Sequence, residues 1–91
     1  MLQFEWDGSK AAQNFRKHKV SFEEAATVFE DPFSLVIEDP QHSASEERYV
    51  IVGESSRKRL IVVVHTDRNN AIRIISARPA TRKERKAYEE T

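Results

Sequence analysis

Cysteine is absent from the 91-residue sequence, which excludes disulfide scaffolds, thiol nucleophiles and cysteine-ligated zinc. Only two glycines are present, Gly8 and Gly53, so no glycine-rich phosphate loop can form, and there is no Gly-x-Ser-x-Gly elbow. The longest apolar run, 60–64, is five residues, far short of the roughly 20 that cross a bilayer. The opening Met-Leu-Gln-Phe-Glu-Trp-Asp lacks the basic and apolar segments of a secretory signal, so a cytoplasmic location is expected. The three histidines, His18, His42 and His65, fall in separate elements without the i, i+4 spacing of a helical metal pair. No metal and no other cofactor is therefore expected.

The length suits one small domain spanning 1–91. Apolar residues make up 38% and charged residues 33%, and the apolar residues are clustered, as a folded core requires. The zero net charge hides an asymmetry. Residues 1–56 carry 5 basic against 11 acidic groups, a balance of −6, and residues 57–91 carry 10 against 4, a balance of +6. Two explanations fit: a basic C-terminal half that faces a polyphosphate, or two halves that neutralise each other internally.

Leu2, Phe4 and Trp6 alternate with polar neighbours and predict a short opening strand. Asp7 or Ser9 can cap a helix over 10–18, with Lys17 and His18 at the negative end of its dipole. Ala11, Asn14 or Phe15, and His18 recur at helical spacing, and Trp6, Phe15, Phe22 and Phe29 suit core positions. Ser21-Phe22-Glu23-Glu24 reads as a capping box that opens a second helix, with Val20 and Ala25 as its hydrophobic staple. Asp31-Pro32 ends that helix.

A strand is expected over 35–37, then a polar loop over 39–45. Three further strands, 48–54, 59–67 and 71–77, are joined by hairpin-length connections and predict an antiparallel meander. The run 60–64 is apolar on both faces, which marks the central strand. Pro79 closes the sheet. Thr81-Arg82-Lys83-Glu84 is a second capping box, opening a basic helix that ends near Glu90. The order β-α-α-β-β-β-β-α gives an α+β fold, with two N-terminal helices and one C-terminal helix on the meander.

The remaining chemistry rests on Arg, Lys, His, Tyr and carboxylates, which suit metal-free phosphodiester cleavage. That reaction needs a base for the 2′-hydroxyl, an acid for the leaving 5′-oxygen and fixed cations for the phosphorane. The even separation of Arg59 and His65 puts both on one face of the central strand. Arg48 begins one strand and Arg78 follows another, so both are expected at one sheet end. Each has a plainer role available: Arg59 as a strand-end charge, His65 as a half-buried packing residue, Arg48 and Arg78 as partners of nearby glutamates. Tyr88 suits packing with a satisfied hydroxyl better than acid catalysis.

Taken together, the segments resemble the BrnT family, the toxin half of bacterial type II toxin–antitoxin modules. The resemblance rests on Phe4-Glu5-Trp6-Asp7, Lys10, Asn14, Lys17-His18, Val20-Ser21-Phe22 and Glu24-Ala25. It continues through Arg48, Gly53, Arg59-Leu60-Ile61-Val62-Val63-Val64, Arg73-Ile74-Ile75-Ser76-Ala77-Arg78, Ala80-Thr81, Glu84-Arg85 and Tyr88-Glu89. It implies a RelE-like fold and a metal-independent ribonuclease that cuts RNA, inhibits translation and arrests growth. It also implies a BrnA-like ribbon-helix-helix antitoxin as partner, and promoter DNA bound through the toxin–antitoxin complex.

With that reaction in view, the catalytic candidates are Arg48, Arg59, His65 and Arg78, with the arginines on the phosphorane and His65 on proton transfer. Lys17, Arg73, Arg82 and Arg85 are the RNA-binding candidates. Two residues depart from the family pattern, Lys19 and Lys58, each standing where the family often has glycine. A left-handed Lys19 would cost about 1 kcal/mol relative to glycine, and Lys58 adds a charge beside Arg59. The competing function is a non-catalytic nucleic-acid- or partner-binding module of the same fold.

Overall fold

The computed structural model describes residues 2–38 and 48–90; the polar loop expected over 39–45 lies outside them. The elements are β1 (Phe4–Glu5), α1 (Gly8–His18), α2 (Phe22–Thr27), a 3₁₀ turn (Val28–Glu30), β2 (Leu35–Glu38), β3 (Tyr49–Glu54), β4 (Leu60–Arg68), β5 (Ala71–Pro79) and α3 (Arg82–Glu89). This is the expected order and the expected α+β class. The sheet runs β1-β5-β4-β3-β2, so the expected central strand is central. Strands β2 to β5 form the antiparallel meander. The short β1 adds to β5 in parallel, pairing Phe4 with Ile72 and Glu5 with Arg73.

Local chemistry sets the helix ends. Asp7 caps α1, its Oδ1 accepting from Lys10 N at 3.0 Å and from the Ser9 hydroxyl at 2.7 Å. Lys19 stops α1 by turning left-handed, φ 60°. Ser21 caps α2 by accepting from Glu24 N at 3.0 Å, but the reciprocal half of that capping box does not form, because the Glu24 carboxylate is drawn to Arg59. The Thr81–Glu84 box at α3 is complete. Asp31, extended ahead of Pro32, ends the 3₁₀ turn.

Two apolar layers cover the sheet. On one face Val20, Phe22, Ala25 and Val28 bury against Ile51, Ile61, Val63, Ile74 and Ala77. On the other, Val52, Leu60 and Val62 pack with Val50, Ala80 and Tyr88 beneath α3. Ile74 and Ala77 are three residues apart yet share a buried layer. A bulge explains this: Val64 pairs with Ser76 and His65 with Ile74, leaving Ile75 extra. Gly53 is dictated by close approach, since a Cβ there would lie 2.9 Å from Val28 Cγ1 and 3.2 Å from Asp31 Oδ2.

Phe15, suited to the core by sequence spacing, is instead 49% exposed, and Asn14 takes the inward position. Since β1 covers β5 only at Ile72 and Arg73, the outward peptide groups of Ala77 need another partner. Asn14 supplies it: Nδ2 donates to Ala77 O at 2.8 Å and to Val20 O at 3.0 Å, and Oδ1 accepts from Ala77 N at 3.1 Å. The side-chain amide thus extends the sheet by one pairing and pins α1 to it. Replacing Asn14 with Ala strands these buried groups and is expected to cost about 2–4 kcal/mol. A thermal midpoint lowered by at least about 10 °C checks this.

Candidate functional site

The predicted site residues divide between the two sheet faces. Arg59 belongs to the α2 side. Its partner Glu24 is a carboxylate only 5% exposed, and burying it requires a countercharge. Glu24 Oε2 accepts from Arg59 Nε at 2.9 Å and from the Ser55 hydroxyl at 2.6 Å, while Oε1 takes a short bond from Arg59 Nη2. Arg59 Nη2 also donates to Lys19 O at 3.0 Å. The guanidinium therefore joins the end of α1, the first turn of α2 and the β3–β4 turn. Arg59, followed by Ser55, holds the Glu24 carboxyl below its ordinary value.

His65 shares that face with Arg59, as the even spacing predicts, but Ile61 and Val63 stand between them. It is 5% exposed, edge-on to Phe29 with ring centroids 4.8 Å apart and 6.0 Å from Tyr49. Burial pushes its pKa down, and the ring packs under the helical layer. The structure does not bring it to a surface shared with the arginines.

The opposite face carries Arg73 and Arg78. Arg78 stands across from Val62, and its Nη1 and Nη2 each donate to Glu84 at 2.8 Å. This two-point pairing pulls the Glu84 carboxyl down to about 2. Arg78 keeps 40% of its side chain exposed, so it is oriented by the glutamate while still facing solvent. Arg73 Nη1 donates to Glu5 Oε2 at 3.0 Å.

Arg48 lies one residue before β3 and continues the alternation of Val50 and Val52. The expectation that Arg48 and Arg78 meet at one sheet end is corrected by topology. Strands β3 and β5 are both antiparallel to β4, so they run in the same direction and their starts lie at the same end. Arg48 therefore sits at the Arg73 end. Arg78, which is level with Val62 and Val52, lies roughly 13 Å further along the strands.

The other predicted contacts lie on the helices. Arg82 and Arg85 are exposed on α3. Lys17 lines a shallow groove of about 290 Å³ between α1 and the β5 edge, with Lys10, Gln13, His18, Ile75 and Ser76. Tyr88 donates to Asp31 Oδ2 at 2.6 Å, and that oxygen also accepts from Glu54 N at 2.8 Å. Bonded to this anion, the phenol is pushed up to about 12; it ties α3 to the 3₁₀ turn and stays protonated. Burial raises the Asp31 carboxyl, but hydrogen bonds from Glu54 N, Tyr88 and Phe33 N outweigh it and leave it below its ordinary value.

Sequence reasoning missed Glu24 and Asp31 as anchors, and it saw Glu84 mainly as a cap. Each stands near a helix or turn boundary, where an acid already has a local explanation. Among the described residues, no group of three His, Asp or Glu side chains is placed to hold a metal ion.

A five-stranded sheet with two helices on one face and one on the other, its second face carrying carboxylate-fixed arginines, defines a small α+β protein. The family model described as "Ribonuclease toxin, BrnT, of type II toxin-antitoxin system" matches residues 6–84, and the chain belongs to that family. The fold is similar to the crystal structure of the Brucella abortus ribonuclease toxin BrnT, with a TM-score of 0.65 and 21% identity. That match covers 90% of this chain and 100% of the other. No curated protein matches the sequence.

The Glu24–Arg59 pair makes a stability prediction. Glu24→Gln leaves a partly exposed guanidinium without its anion and is expected to cost about 2–3 kcal/mol at neutral pH, below the range for a fully buried pair. Because the folded carboxyl lies below its ordinary value of 4.5, its contribution is present above that pH and is lost as pH falls further. Urea midpoints of the two proteins should therefore differ at neutral pH and converge as pH falls below 4.5.

Proposed function

We propose that this chain is a metal-independent endoribonuclease that cuts RNA and thereby inhibits translation. A BrnA-like ribbon-helix-helix antitoxin neutralises it, and the two together bind and repress their own promoter. The reading places it in the cytoplasm; among the described residues no helix is long and apolar enough to cross a membrane. Family membership supplies the reaction class. The observation that carries the geometric reading is Arg78, aligned by Glu84 yet open to solvent on the face opposite α1 and α2.

In the proposed reaction the ribose 2′-oxygen attacks phosphorus, its proton passing to a base. The bond from phosphorus to the 5′-oxygen breaks, and that oxygen takes up a proton. The phosphorane between these steps carries extra negative charge, which fixed guanidinium groups stabilise more than they stabilise the substrate. Arg78 takes this role at the cleaved phosphate. Arg48 and Arg73, at the other end of the sheet, hold a different phosphate of the strand, and Lys17, Arg82 and Arg85 contribute further backbone contacts. Arg59 acts from beneath as a positioning residue, and His65 as part of the packing that supports the sheet.

A second reading, a binding module without chemistry, is favoured by one observation: Arg59, Arg73 and Arg78 are each already paired with a glutamate. One assay separates the two. Purified protein is incubated with a defined RNA in EDTA, with and without the neighbouring gene's product. Cleavage that the partner suppresses is the expected outcome. RNA recovered intact alongside tight, salt-sensitive binding would establish the module instead.

A further inference from the structure

Among the described residues, four other than glycine have positive φ: Lys19 (60°), Lys58 (65°), Asn69 (51°) and Asn70 (68°). The two asparagines form the two-residue turn between β4 and β5, a position that suits them. Nothing local favours lysine at 19 or 58, where a Cβ meets the steric penalty that glycine avoids. Strain of this kind concentrates at functional positions.

The two strained lysines are also neighbours. Arg59 follows Lys58 in the chain and donates through Nη2 to Lys19 O at 3.0 Å. Arg57, in the same turn, acts electrostatically on Glu24. Lys19, Arg57 and Lys58 are all exposed, and among the described residues none of the ion pairs involves them. The buried acid nearby, Glu24, is already engaged by Arg59 and Ser55. The turn is held rigidly, with Lys58 N bonded to Ser55 O at 2.9 Å and Ser55 N to Arg59 O at 2.8 Å. At the same sheet end, Ala80 N donates to Leu60 O at 2.9 Å, which sets the approach to α3 beside the start of β4.

We propose that Lys19, Arg57 and Lys58 form a phosphate-binding subsite that holds the RNA backbone on one side of the cleaved phosphate. The inference rests on the ribonuclease reading and names where its substrate enters. A set of exposed cations gathered on a hydrogen-bonded turn fits a repeating polyanion. Lysine at two positions where glycine is sterically better is explained by the charge it brings.

The test measures binding of a 2′-O-methyl RNA of about 20 nucleotides, which lacks the attacking hydroxyl, by fluorescence anisotropy across a salt series. Lys19→Gly/Lys58→Gly relieves the backbone strain, so its thermal midpoint should be unchanged or higher by up to about 5 °C. Its RNA affinity should nevertheless fall about tenfold at moderate salt, with the log–log salt slope smaller by about 1.4, or about 0.7 for each lost contact. Asparagine at both positions should behave like glycine, and arginine at both should restore binding.

Unchanged affinity and slope in the glycine and asparagine variants would overturn the subsite while leaving the ribonuclease reading intact. So would intact RNA binding combined with weakened capture of the antitoxin, which would assign the patch to that protein. A parent protein that neither cuts RNA in EDTA nor binds the methylated strand would overturn the ribonuclease reading and the subsite together.

Discussion

A buried carboxylate sets the arrangement of the whole molecule. Glu24 lies beneath the helical layer, where an unpaired charge would be too costly to keep. The cation that answers it, Arg59, arrives from the start of the central strand. One guanidinium thereby fixes three separate pieces of chain: the left-handed end of α1 at Lys19, the first turn of α2, and the Ser55–Arg59 turn. With both helices locked to that face, the other face is left for α3 and for the arginines that point toward solvent. In the proposed reading, an arginine used for this purpose acts by positioning, and the role at the phosphate is given to Arg78, which keeps 40% of its side chain exposed.

The charge asymmetry along the chain is resolved in the same way. Glu5–Arg73 and Glu24–Arg59 both join an acid of the first half to a base of the second, so part of the opposite charge is neutralised internally. Most of the remaining cations, including Arg57, Lys58, Arg82 and Arg85, stay exposed. Internal neutralisation therefore accounts for part of the asymmetry, and in the proposed reading the exposed remainder is what the RNA meets.

Much of the fold was legible because it is written locally. Ser21 and Thr81 announce their helices, Asp31-Pro32 ends the 3₁₀ turn that follows the second helix at Thr27, and the doubly apolar run 60–64 marks a central strand. The misplacements share one cause: they depend on long-range geometry. Arg48 and Arg78 are separated because two strands that are each antiparallel to a third run parallel to one another. Asn14 replaces Phe15 inside because a strand edge elsewhere in the chain needed an amide. The bulge at Ile75, which lets Ile74 and Ala77 share a layer, leaves no local signature in a run of β-favouring residues. His65 was attractive for its pKa in water, and only the packing of Phe29 and Tyr49 around it reveals the burial that lowers that pKa.

The central claim is that the chemistry belongs to the face holding Arg78 and not to the buried histidine. The most direct measurement compares RNA cleavage by the parent protein, Arg78→Met and His65→Phe, each confirmed as folded by its thermal transition. The account predicts that Arg78→Met loses at least about a hundredfold in rate, while His65→Phe, which keeps an aromatic ring against Phe29, retains most of its activity. A folded His65→Phe protein without cleavage, beside an active Arg78→Met protein, would contradict it.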